Sequence, residues 1–254
     1  MKEAAVRAYT RDRTGPPHSG LLELVGFPRV DKRLEKIPAY VEAKKTNNGL
    51  DPFGFDGQPH FDVDFVPVVA DAFQWHIAAP ADGGDHLTVI VDLLRPLSKP
   101  GWVLLASADY REQPCINLNT MENDLDIIAL RQGIRHIDDI LMTGDGMKDI
   151  IGADYPWPMP RASDEAMNQM ILERLQTSFQ PCGTNRLSQD TQQGIVDPTL
   201  KVYGVKALRV IDASVFPVIP DCRIQNVVYT VVEKGADLVK ADWSDLYKEE
   251  KSML

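Results

Sequence analysis

An α+β architecture is the fold class this sequence predicts. Strand-like patterns gather in the first half of the chain, long helical patterns follow, and no regular strand–helix–strand alternation links the two. No internal repeat of 20–50 residues and no low-complexity segment points to a solenoid or an unfolded tail.

The first 60 residues read as loop-rich. The stretch Arg13, Thr14, Gly15, Pro16, Pro17 and the stretch from Asn47 through Gly49 to Pro52 carry turn chemistry, with Gly supplying positive φ and Pro fixing it. Between them Asp31 is placed to cap a short helix running toward Lys45, with Pro38 as an irregularity. Next, Phe61, Val63 and Phe65 alternate with Asp62 and Asp64, the pattern of a half-buried strand. Further strands are expected over 86–94 and over 102–105, the latter entered by a Pro100–Gly101 turn.

Helices follow. Residues 124–142 place Leu125, Ile128, Ile134, Ile137 and Leu141 mostly at three- and four-residue spacings, which makes one apolar stripe. Ser163 is a natural N-cap for a second helix through Met167, Met170, Ile171 and Leu175. Residues 208–212 read as a short buried strand, and 225–240 as a helix carrying Val228, Val231, Val232 and Val239.

Composition removes several function classes. The chain has 37 acidic against 27 basic residues, a formal net charge of −10, and no basic run. Binding to nucleic acid, or to an anionic membrane surface through a basic patch, therefore lacks its electrostatic footprint. No apolar stretch approaches the 18 residues of a membrane span, and residues 1–7 lack the apolar segment of a secretory signal. The three cysteines, Cys115, Cys182 and Cys222, are far apart, without a C-x-x-C pair or zinc-type spacing. Reduced thiols, a cytoplasmic location and no bound metal are the expectation.

Common nucleotide and hydrolase fingerprints do not occur. Gly144 and Gly146 lack the third glycine of G-x-G-x-x-G and read as a turn. Two clusters near the C-terminus stand out. One is Ser178, Phe179, Gln180, Pro181, Cys182, Gly183, Thr184. The other is Val210, Ile211, Asp212, Ala213, Ser214 followed by Pro217 through Pro220 and Asp221, Cys222, Arg223, Ile224, Gln225, Asn226. Taken alone, both are equally loops that lead into helices.

The ordered series from Gly194 to Pro198, Leu200 to Val205, Leu208 to Ser214, and Glu233 to Asp237 resembles the C-terminal region of glucose–methanol–choline (GMC) flavoprotein oxidoreductases. Arg95 to Gly101, Ser107 to Asp109 and Pro114 to Asn117 resemble the opening of that family's substrate domain, in a form similar to fungal aryl-alcohol-oxidase-like members. The resemblance implies a loop-rich start to the substrate domain over 1–60, a substrate-binding domain with a mostly antiparallel sheet over 61–190, and an FAD-contacting strand–helix segment over 191–254. It implies FAD as cofactor, a small-molecule alcohol as substrate, and hydride transfer from a CH–OH group to the flavin. Asp212, Ala213, Ile224 and Gln225 match positions that lie along the FAD.

The glycine-rich FAD-binding half of the family is not encoded in these residues. The expectation is a truncated chain that, alone, neither retains FAD nor turns over, with a separate N-terminal half as its partner. The catalytic positions also depart from the family pattern. Its histidine base, in H-P-x-G-T, corresponds to Gln180, and its partner position to Arg223. An amide does not take up a proton near neutral pH, and an arginine side chain remains a cation, so neither is a general base. Arg223 is suited instead to a negative charge on reduced flavin or to a substrate carboxylate. The alternatives are a non-catalytic binding or regulatory module of the same fold, and a non-redox use of the pocket.

Overall fold

The computed structural model describes residues 2–14, 24–69, 80 and 85–244. Contacts divide the chain into two units, one of Met1–Lys99 with Met121–Gln176 and one of Pro100–Thr120 with Thr177–Leu254. A hairpin from the middle of the chain, and residues 177–190, group with the C-terminal residues in the second unit.

The first unit holds helix α1 (Lys2–Asp12), strand β1 (Leu24–Gly26), helices α2 (Asp31–Leu34) and α3 (Pro38–Thr46), strands β2 (Phe61–Val66) and β3 (Thr88–Leu93), and helices α4 (Asp124–Thr143) and α5 (Asp164–Arg174). Neither α1 nor β1 is foreseen by the loop-rich reading of this region. The helix expected to start at Asp31 is two helices. Pro38 begins the second, where its missing N–H is no loss. Asp31 is the first residue of α2 and does not cap it; its carboxylate goes to Arg29 instead.

The three strands form an antiparallel sheet in the order β1-β2-β3, with Val63 opposite both Gly26 and Val91. The alternation read in β2 implies exposed Asp62 and Asp64, yet they are only 4% and 2% exposed. As the central strand, β2 is covered on both faces, so period-two polarity does not report its solvent side. Helix α4 packs close to this strand through Gly133, where an added Cβ would lie 2.8 Å from the Phe61 ring. Leu34, Tyr40, Phe53, Phe61, Ala129 and Met167 are fully buried in the resulting core.

Helices α4 and α5 start where their caps say. Asn123 Oδ1 accepts the Leu125 N–H at 3.0 Å and Ser163 Oγ accepts the Ala166 N–H at 3.1 Å. Asp126, in the first turn of α4, is fully buried and holds the Pro96–Ser98 stretch. Its carboxylate accepts Leu97 N–H (2.6 Å), Ser98 N–H (2.9 Å) and Ser98 Oγ–H (2.5 Å). Ser98 Oγ in turn accepts Asn123 N–H at 3.0 Å.

The second unit contains β4 (Trp102–Leu104) paired antiparallel with β5 (Cys115–Asn117), a 3-10 turn over Ala213–Val215, and helix α6 (Gln225–Asp242). The two-stranded sheet is exposed on both strands. Residues 208–212 do not form the buried strand expected of them. They make one isolated bridge, Arg209 to Lys201, and Leu208 is 47% exposed. Val196, Leu200, Val215 and Phe216 form the buried centre here, with Val227, Val228, Val231 and Leu238 of α6 packed on it. Among the described residues no helix is long and apolar enough to cross a membrane.

Candidate functional site

All six residues singled out for the site lie in the second unit, and a chain of hydrogen bonds connects their segments. The loop 183–187 runs beside the 3-10 turn: Gly183 N–H donates to Ala213 O (3.2 Å), Asn185 N–H to Ser214 O (2.8 Å) and Leu187 N–H to Val215 O (2.9 Å). Gly183 has a φ of 80°, a conformation that suits glycine, and an added Cβ would lie 3.2 Å from Phe216 O. Asp212 caps the turn, accepting Ser214 N–H at 2.8 Å and Ser214 Oγ–H at 2.5 Å, while Asn185 Nδ2 donates to Ser214 Oγ at 3.0 Å. Its residue type at that position is thus explained locally, with or without a bound cofactor.

Gln180 ties this loop to α6. Its carboxamide oxygen accepts the Ile224 N–H at 2.9 Å. Phe179, just before it, has a φ of 57°, which bulky residues rarely adopt, and its N–H donates to Thr177 Oγ1 at 3.1 Å. This kinked approach delivers Gln180 to the start of α6. Ile224 is the N-cap residue of that helix and carries no side-chain acceptor, and no acidic residue occupies the first turn. The first turn of α6 therefore has no side-chain cap from Ile224, which is half-buried between exposed Arg223 and Gln225, and half-buried Asp221 lies just upstream. Cys182, two residues beyond Gln180, is half-buried, and burial pushes its thiol pKa up, so it is no activated thiolate.

Among the described residues of the first unit, a largely buried ionisable cluster is one that sequence reasoning missed. Asp31, Asp51 and His60 bring three oxygen and nitrogen atoms within 4.8 Å of one another, the composition of a metal site. Arg29 already supplies the cation: Nη2 lies 2.6 Å from Asp31 Oδ1 and 2.7 Å from Asp51 Oδ2. His60 Nδ1 accepts the Val30 N–H at 3.1 Å, which leaves the ring proton on Nε2, facing Asp51 Oδ2 at 2.7 Å. No ring lone pair is left for a metal. Burial acts to raise the Asp51 pKa, but hydrogen bonds from His60 and Phe53 N–H outweigh it and hold the carboxyl well below its ordinary value. Of the remaining histidines, His86 stacks edge-on with Tyr155 at 5.5 Å and His136 is half-buried on α4. His18 and His76 lie outside the described residues.

The solved structures similar to this chain include a formate oxidase from Aspergillus oryzae RIB40, determined to follow the effect of an arginine substitution on FAD modification. It matches with a TM-score of 0.92 and 58% sequence identity, covering 97% of this chain and 42% of that one. A fungal aryl-alcohol oxidase matches with a TM-score of 0.66 at 24% identity, over 96% of this chain and 42% of its own, which shows a shared fold. Among curated proteins, a pyranose dehydrogenase from Agaricus xanthodermus is 30% identical over 250 residues, 94% of this chain and 39% of the enzyme. The chain thus spans about two fifths of the length of these relatives. The GMC oxidoreductase family model matches residues 96–231, more than half of the sequence, and the chain belongs to that family.

Proposed function

We propose that this chain is the substrate-binding and C-terminal portion of an FAD-dependent oxidoreductase whose substrate is formate, and that Arg223 anchors the carboxylate. In this reading residues 61–190 provide the substrate domain and 191–254 the FAD-contacting segment. An N-terminal half carrying a pyrophosphate-binding glycine turn is the partner. FAD, when bound, supplies the hydride acceptor. The observation that carries the proposal is the exposed Arg223 at the open N-terminus of α6, in a chain 58% identical to a formate oxidase. Arginine suits a carboxylate because its planar donors can engage both oxygens.

Formate explains the missing base better than an alcohol does. Oxidising an alcohol removes a hydride from carbon and a proton from the hydroxyl, so some group must accept that proton. Formate at neutral pH has no hydroxyl proton. Its C–H bond breaks, the electron pair leaves with hydrogen as hydride, and the carboxylate becomes carbon dioxide. The balance closes without an acid or base from the protein. Gln180 in place of histidine is compatible with that reaction.

Combining this chain with the FAD-binding half of the Aspergillus oryzae formate oxidase tests the proposal. Formate should bleach the visible flavin band under anaerobic conditions, and Arg223→Gln should slow the bleaching roughly ten- to a hundredfold at the same subsaturating formate concentration. Unchanged flavin with wild-type Arg223 at saturating formate would contradict it. The 254 residues purified alone are expected to be colourless; a stoichiometric flavin band would overturn the division of labour between the halves.

A further inference from the structure

Resting on the reading that an FAD-binding half is this chain's partner, we propose that the partner docks along a second apolar face of α6, the stripe Tyr229, Val232, Ala236, Val239 and Trp243. Positions three and four apart share one side of a helix, so α6 divides lengthwise into three faces. Val228, Val231 and Leu238 pack on the buried centre of their own unit, and Gly235 lies against Ile211 in the same row. Asp242 closes that row, 2.9 Å from Arg209 Nη2 and 2.8 Å from Lys201 Nζ. A polar face holds Thr230, Glu233, Lys234, Asp237 and Lys240. The third face repeats the spacing of the core row one residue later. On it Tyr229 is 63% exposed, Val232 39% and Trp243 53%, with Ala236 and Val239 half-buried.

One apolar stripe is what a helix at the surface of a finished domain needs. A second, with two valines that lower helix propensity and two large aromatics left in water, gains nothing until something covers it. The mixed signs of the polar face, Glu233 and Asp237 beside Lys234 and Lys240, do not suit the anionic surface of a membrane. A second copy of the chain is a poor occupant too. About four turns of one helix, paired with themselves, bury less than the roughly 1,200 Å² of a stable interface. The FAD-binding half is the occupant that the lengths favour. This chain shares the fold of a formate oxidase at a TM-score of 0.92 while covering 42% of it, so a face that meets the other part of such a protein is left bare. The β4–β5 hairpin of the same unit is a further bare element, with Trp102, Leu104 and Ile116 exposed, and a two-stranded hairpin alone is marginal in water.

Thiol accessibility reads this face directly. Val232→Cys puts a thiol on the proposed face and Asp237→Cys one on the polar face; both positions are exposed, so neither change empties the core. In the 254-residue chain alone, iodoacetamide should alkylate the two positions at comparable rates. The same variants are then fused behind the FAD-binding half of the Aspergillus oryzae formate oxidase and loaded with FAD. There Val232→Cys should be alkylated at least about tenfold more slowly while Asp237→Cys keeps its rate, each site being identified by mass spectrometry. Unslowed alkylation at Val232→Cys in a flavin-loaded fusion, or equal slowing at both positions, would overturn the docking face and leave the partnership with the FAD-binding half standing. A fusion that takes up no flavin would overturn both. Protection of Val232→Cys already in the chain alone, rising with its concentration, would make a second copy the occupant and overturn the proposal.

Discussion

Gly235 of α6 lies directly against Ile211, so that a Cβ at 235 would collide with Ile211 Cγ2 and come within 3.0 Å of Cδ1. This contact seats the middle of α6 on the 208–212 segment, while Gln180 ties the helix start to the loop beside the 3-10 turn. Glycine in a helix interior sacrifices about 1 kcal/mol of propensity, so its use here reflects the close approach. Gly235→Ala is expected to destabilise the protein by roughly 1–3 kcal/mol in urea denaturation. Adding Ile211→Ala should recover part of the loss; a fully additive double variant would show that the two positions do not press on each other.

Asp126 is the pin between α4 and the loop that precedes it. Removing its carboxylate strands the N–H groups of Leu97 and Ser98 in a half-buried place. Asp126→Ala should cost on the order of 3 kcal/mol. Asp126→Asn keeps one acceptor oxygen and should cost less. Equal melting temperatures for the Ala variant and the wild type would contradict this.

The Arg29–Asp51–His60 cluster makes part of the stability pH-dependent. The folded-state pKa of Asp51 is depressed, so the stabilisation is present above the ordinary aspartate value of about 4 and is lost as pH falls through the lower folded value. Asp31 shifts the same way, chiefly through its hydrogen bond from Arg29. Acid unfolding should therefore steepen below about pH 4. Asp51→Asn should lower stability at pH 7 and flatten that acid limb, which denaturant titrations at a series of pH values would check.

Thiol reactivity separates the three cysteines. Cys115 and Cys222 are exposed, while Cys182 is half-buried with its thiol pKa raised by burial. A chromogenic disulfide reagent should modify two thiols rapidly and the third much more slowly, becoming uniform in denaturant. Rapid labelling of Cys182, identified by mass spectrometry, would contradict its placement.

Helices α4 and α5 are readable in the sequence because the apolar residues of α4 keep helical spacing and Ser163 announces the start of α5. The strand β2 is readable in position but not in environment, since Asp62 and Asp64 are buried by neighbours distant in sequence. The failure at 208–212 has a different cause. Its apolar run serves packing against α6, and only Arg209 finds a bridging partner in Lys201. Within the candidate site, the residues Gln180, Asp212, Ala213, Arg223, Ile224 and Gln225 can be picked out from the resemblance. What no linear motif reveals is the Gln180–Ile224 bond, because it joins positions 44 apart through a loop whose shape depends on Phe179.

Substrate preference is the most direct test. With the FAD-binding half supplied, the rate of anaerobic flavin reduction should be measured for formate and for an aryl alcohol, in the wild type and in Arg223→Gln. Formate is predicted to reduce the flavin and the alcohol to be at least about a hundredfold slower, consistent with the typical contribution of a general base. Arg223→Gln should lower the formate rate at subsaturating concentration by roughly ten- to a hundredfold. Rapid reduction by the aryl alcohol together with no response to formate would contradict the assignment of this site to a carboxylate.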